Sequence, residues 1–191
     1  MSVDTVELFY GILALVAFAA VIGLVGLRLL AFASDGAASA FERVAEAIAP
    51  NAIGIAWVVA VLATAGSLYF SEIAGFEPCR LCWYQRIAMY PLVVVLTVAA
   101  YRRERAGAVY AGALAAIGAV IAAYHVALEW IPALDTGACD PDNPCTLIWF
   151  RVFGFISLPT LALAAFLLIL TVLSIRPREV VEDHPVTRRD P

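Results

Sequence analysis

Cys79 and Cys82 stand three apart in EPCRLCWYQR (Glu77 to Arg86), and Cys139 and Cys145 bound the segment CDPDNPC. Two pairs of thiols suit three kinds of chemistry: disulfide exchange, structural bridging, or a zinc site. Zinc fits poorly. The five residues between Cys139 and Cys145 exceed the usual spacing, and Asp140 and Asp142 are hard ligands beside soft thiolates. Purely structural bridges remain an alternative, although a CxxC ring is so small that it constrains little of the unfolded chain. Exchange proceeds through a thiolate, and the first pair is set up to form one. Pro78 marks a helix start, whose free N–H groups stabilise a thiolate, and Arg80 and Arg86 add positive charge. Arg86 lies four residues after Cys82, one helical turn deeper on the same face. A guanidinium there either snorkels to headgroups or holds a polar ligand oxygen beside Cys82.

The elements that must position these thiols are membrane spans. The chain has 191 residues, of which 63% are hydrophobic, against about 45–50% apolar in an ordinary soluble domain. Its mean hydropathy is +0.91. The excess falls in long uncharged runs of about 20 residues, the length that crosses a bilayer. Five are expected as helices, over Val6 to Leu27, Ala52 to Ile73, Leu81 to Tyr101, Ala106 to Ile131 and Val152 to Ile175. The first also carries an AFAS stretch (Ala31 to Ser34) like a signal-peptide cleavage site. Its acidic, arginine-free start and its length favour a retained anchor. The net charge of −4 argues against nucleic-acid binding, which usually shows a basic patch.

All 12 basic residues are arginine, and their placement orients the spans. With YRRER (Tyr101 to Arg105) in the cytoplasm, nine arginines lie inside and only Arg80, Arg86 and Arg151 outside. The N-terminus is then outside, the C-terminus cytoplasmic, and all four cysteines fall on the outer face, where disulfides persist. Between the first two spans, Ser39 and Glu42 are expected to form a capping box opening a short amphipathic helix on the inner interface. The tail, residues 176–191, is expected to be disordered.

PCRLCWYQRIAMYPL (Pro78 to Leu92) resembles the signature of the disulfide bond formation protein B (DsbB) family, especially its shorter BdbC-type members. YHVALEW (Tyr124 to Trp130) and SLPTLALAAF (Ser157 to Phe166) are supporting matches. The resemblance implies an all-α integral membrane protein: a four-helix bundle over residues 51–175, with an additional transmembrane helix and cytoplasmic amphipathic helix over residues 1–50. It also implies a thiol:quinone oxidoreductase, a monomer in the plasma membrane lipid. Such an enzyme reoxidises a DsbA-like thioredoxin-fold partner and passes the electrons to ubiquinone or menaquinone. Carried over by motif, Cys82 would be the thiolate facing the quinone, with Arg86 near a quinone oxygen. Cys139 and Cys145 would form the loop pair, with Cys139 meeting the partner and the loop pair exchanging with Cys79. A vitamin K epoxide reductase-like enzyme shares this logic, but its CxxC comes late in the bundle.

Among the remaining residues, His125 is expected either to line the quinone site or to be a hydrogen-bonded histidine of the bundle. Glu129 and His184 are expected to be solvated, and Trp83, Tyr84, Trp130, Trp149 and Phe150 to be outer interface anchors. Pro91 and Pro159 are expected to interrupt spans.

Overall fold

A computed structural model describes residues 2–103 and 106–175. The tail from residue 176, with His184, lies outside the described residues, as do residues 104 and 105 of the YRRER turn. The described chain is helical: α1 (Val3–Leu30), α2 (Asp35–Ile48), α3 (Ala52–Leu68), α4 (Arg80–Arg102), α5 (Ala106–Trp130) and α6 (Leu158–Ser174). A 3-10 turn over Ala49–Asn51 joins α2 to α3, and a π turn over Tyr69–Ile73 extends α3. Among the described residues, four helical stretches are long and apolar enough to cross a membrane, and α6 is a shorter apolar helix of 17 residues. The protein is thus a multi-pass membrane bundle.

Helix α3 packs on α4, α4 on α5, α5 on α6, and α6 back on α3, closing a four-helix ring. Apolar burial alone cannot drive this association in lipid, so small residues that let backbones approach do the work. Ala56, Ala60, Ala111, Ala115 and Ala122 are fully buried along the seams. Gly118 of α5 lies so close under the Phe166 ring that an added Cβ would collide with it. Outside the ring, α1 packs on α6.

Three local expectations are corrected. The last helix begins at Leu158, not Val152. Residues Val152 and Ile156 pair across a tight turn that needs Phe153 (φ 55°) and Gly154 (φ 79°) in the left-handed region, and a helix cannot pass through it. Pro159 therefore sits in the first turn of α6, where its missing N–H costs nothing, and interrupts no span. Pro91 does lie inside α4. Helix α2 starts at Asp35 after Ser34, so Ser39 is interior, its hydroxyl donating to the Gly36 carbonyl (3.0 Å), and forms no capping box. Gly36 is the one weak helix former between Asp35 and Ser39, two alanines follow it, and the acidic Asp35 in the first turn favours the earlier start.

Candidate active site

The start of α4, the end of α5 and the loop between α5 and α6 meet at one end of the bundle and gather all four cysteines. Cys79 is the N-cap of α4, and its Sγ accepts the Cys82 backbone N–H at 3.3 Å. Cys79 and Cys82 are free, with sulfurs 2.8 Å apart, whereas Cys139 and Cys145 are joined as a disulfide. The Cys79 thiol is lowered from its ordinary value. The largest cause is the hydrogen bond from the Cys82 thiol; burial opposes it, and His125 and the Cys82 N–H reinforce it.

His125, on α5, sits between the two pairs. Its Nε2 lies 3.7 Å from Cys79 Sγ and 3.0 Å from the Cys145 carbonyl, and its Nδ1 lies 3.1 Å from Gln85 Nε2. A carbonyl can only accept, so Nε2 carries the proton, and Nδ1 accepts from the Gln85 amide. His125 is thus a buried, hydrogen-bonded histidine that touches the thiols. Gln85, which the sequence reading passed over, fixes its tautomer. Its position three residues after Cys82 on a helix was the available signal.

The loop disulfide is docked over the first pair by three further links. Arg80 Nη1 donates to the Ala138 carbonyl (3.2 Å), and Arg80 approaches Asp140 at 3.8 Å. Asn143 Nδ2 donates to the Pro78 carbonyl (3.3 Å). Cys139 is 8% exposed and Cys145 1%, so neither sulfur is open to a protein partner while the loop is docked.

Beside Cys82 opens an apolar cavity of about 190 Å³, bordered by Arg86, Gln85, Met89 and Tyr90 of α4, Ser67 of α3, Phe70 of the π turn, and Phe166 of α6. Cys82 is the one cysteine on its wall. Cys79, Cys82, His125 and Glu129 border a second, much smaller void of about 10 Å³. Cys82 therefore faces both spaces, while Cys79 and His125 face only the loop side. Arg86 donates from Nη2 to the Ser67 carbonyl (3.0 Å), with its guanidinium carbon 5.1 Å from the Trp83 ring centre. The Ser67 carbonyl also accepts from Ser71 (3.2 Å), at the π turn that ends α3; such turns recur at functional sites.

Glu129 is not solvated but buried, accepting a hydrogen bond from Ser157. Its place on α5 points it at the start of α6, which the sequence could not reveal. Of the expected belt, Trp83, Tyr84, Trp130 and Trp149 are exposed and Phe150 is not. Trp149 stacks on Phe76 (4.8 Å), and Phe150 is buried against Phe70 (5.3 Å), an aromatic floor that periodicity did not announce.

The disulfide bond formation protein DsbB family matches residues 49–175. This chain belongs to the DsbB family. It is 46% identical over 115 residues to the disulfide bond formation protein C of Bacillus subtilis, covering 60% of this chain and 83% of that protein. It is 42% identical over 123 residues to a probable disulfide formation protein of Oceanobacillus iheyensis, covering 63% of this chain and 85% of that protein. No solved structure matches the chain. The match takes in α3 to α6 and all four cysteines, and leaves out α1 and α2.

Proposed function

We propose that this DsbB-family membrane protein is a thiol:quinone oxidoreductase that reoxidises a DsbA-like thioredoxin-fold partner. The observation that carries the reading is that Cys82 and Arg86 share the wall of the apolar cavity while Cys79 lies off it, buried in one cluster with Cys139 and Cys145. An amphipathic ring fits that cavity. Apolar walls take the ring faces, and Arg86 and Gln85 offer N–H donors to its oxygens. Bound there, a quinone supplies the acceptor for two electrons and two protons. Ubiquinone and menaquinone both meet this description.

In the chain's own chemistry, a partner thiolate attacks Cys139, breaking the Cys139–Cys145 bond, and the second partner thiol then displaces Cys139. The partner leaves oxidised, and Cys139 and Cys145 are left reduced. A freed loop thiolate next attacks Cys79 of the oxidised Cys79–Cys82 bridge, releasing Cys82 as thiolate toward the cavity. The other loop thiol closes Cys139–Cys145 again, leaving Cys79 and Cys82 with the electron pair. His125 holds the Cys145 backbone against Cys79 and donates to the Cys79 sulfur, which steadies its thiolate. Because both loop sulfurs are buried, the loop must lift from Arg80 and Asn143 before a protein thiol can reach Cys139. The membrane orientation with the cysteines outside follows from the nine-to-three split of arginines. The chain acts as a monomer in the plasma membrane, with residues 1–50 appended to the bundle of residues 51–175.

The test pairs purified, quinone-loaded protein with a reduced thioredoxin-fold partner, following quinone absorbance and partner thiols together. Stoichiometric quinone reduction, abolished in Cys82→Ser, is expected. Partner oxidation without quinone reduction would assign a different acceptor, and no oxidation at all would make the bridges structural.

A further inference from the structure

Helix α1 lies outside the family match at residues 49–175, yet it borders the same cavity as Cys82 and Arg86. Tyr10, Leu13, Ala14 and Ala17 line it from α1, facing Leu62 and Gly66 of α3 and Leu168 of α6. The fit of α1 is close. Tyr10 donates to the Leu62 carbonyl (3.1 Å), and a Cβ at Gly66 would come within 2.6 Å of the Tyr10 ring. Gly11 presses on Val152, where a Cβ would lie 3.0 Å from Cγ1. Ala14 and Ala17 are buried with Ile156 and Ala164, so the seam with α6 is built from small side chains. The polar groups of the cavity sit at α4 and the end of α3, whereas α1 contributes Leu13 and two alanines, with the Tyr10 hydroxyl already turned to a carbonyl.

That division matches an amphipathic ligand with a polar ring and an apolar tail. We propose that α1 is the tail wall of the quinone site, so that prenyl or alkyl chain length is read by Leu13 and its neighbours while the ring is read by Arg86. This rests on the quinone reading above and extends it to the chain's own added helix. A ligand held by the ring alone would be indifferent to α1. A tailed one gains close packing contacts along α1 that loosely ordered lipid or detergent chains would not match.

The test is direct binding to the purified full chain, with quinone recovered by extraction after gel filtration in detergent. The probes are decyl-ubiquinone and its tail-less dimethoxy-methyl ring. Leu13→Trp fills the wall and should weaken decyl-ubiquinone about tenfold or more, the loss of about 1.4 kcal/mol. The tail-less ring should change less than about threefold. Leu13→Ala, which removes contact without bulk, should weaken the tailed quinone in the same direction by a smaller factor. It serves if the tryptophan variant does not fold. Val16→Trp, on the exposed face of α1, should bind both as the native chain does. If both Leu13 variants bind both quinones like the native chain while Arg86→Met loses them, α1 is no part of the site and the quinone reading survives. Equal weakening of both quinones by Leu13→Ala also overturns the tail assignment. If the native chain retains neither quinone, the quinone reading fails and the tail wall fails with it.

Discussion

Cys79 and Cys82 are held by regular structure: one caps α4, the other lies in its first turn, and Gln85 and His125 brace them from two helices. Cys139 and Cys145 are held by a loop between α5 and α6. Pro141 and Pro144 stiffen that loop, and side chains rather than a helical ladder tie it down. The two pairs share one buried cluster, bridged by His125, yet their surroundings differ in kind. The helix pair has an apolar cavity on one side and a stabilised thiolate on the other; the loop pair has links that can be broken singly. The proposed relay needs this inequality. The fixed pair keeps its geometry toward a small acceptor, and the detachable pair can present a sulfur to something as large as a protein.

Removing the loop pair breaks that comparison hardest. In the double variant Cys139→Ser with Cys145→Ser, oxidation of a thioredoxin-fold partner should fall by about a thousandfold or more, because the covalent route is gone. A small dithiol that reaches Cys79 directly should still be oxidised. Partner oxidation at the native rate in that variant would reduce the loop bridge to a structural clasp.

A smaller effect is expected at His125, where the two pairs meet. With Cys79 and Cys82 reduced and the loop bridge intact, Cys79 should alkylate as a thiolate well below the ordinary thiol value of 9.0. The sign follows from the lowered pKa. Above it the thiolate is present, and reactivity falls only as pH drops through that lowered value. His125→Asn removes one of the lesser stabilising partners, so the fall should begin at higher pH, with the rate at pH 7 reduced by about tenfold or less. At strongly alkaline pH the two proteins should converge. An unchanged pH profile would leave the Cys82 thiol and backbone N–H as the sole supports of the Cys79 thiolate.

How much of this was legible in the sequence depends on how local the cause is. The spans follow from run length, and the Cys79 thiolate site from a proline followed by a helix start, so both could be read directly. Gly118 under Phe166 and Gly66 under Tyr10 join residues far apart in the chain, and neither glycine signals its partner. The start of α6 was misplaced because Val152 to Ile156 is apolar enough to read as span, while Phe153 and Gly154 turn it. Glu129 read as solvated because a carboxylate near a helix end usually is; its Ser157 partner comes from the next helix. The cavity beside Cys82 could be anticipated only through Arg86. Its far wall on α1 lies outside residues 49–175, which the family match covers.

The smallest effect should come from the most visible link, the ion pair of Arg80 and Asp140. Both side chains are about half exposed, at 46% and 51%, and their charges are 3.8 Å apart. Exposed pairs of this kind contribute roughly 0.2–1 kcal/mol and are screened by salt. In Asp140→Ala, Arg80 keeps its hydrogen bond to the Ala138 carbonyl, and Asn143 still ties the loop to Pro78. Reduction of the Cys139–Cys145 bridge by a small dithiol should therefore quicken by less than about fivefold, and less again at high salt. Asn143→Ala, which cuts a hydrogen bond to a carbonyl just before the CxxC, should quicken it by about as much or more. If Asp140→Ala alone freed the loop bridge a hundredfold, the docked state would hang on one charge pair. The contrast between a fixed pair and a detachable one would then be an electrostatic switch rather than a difference in backbone support.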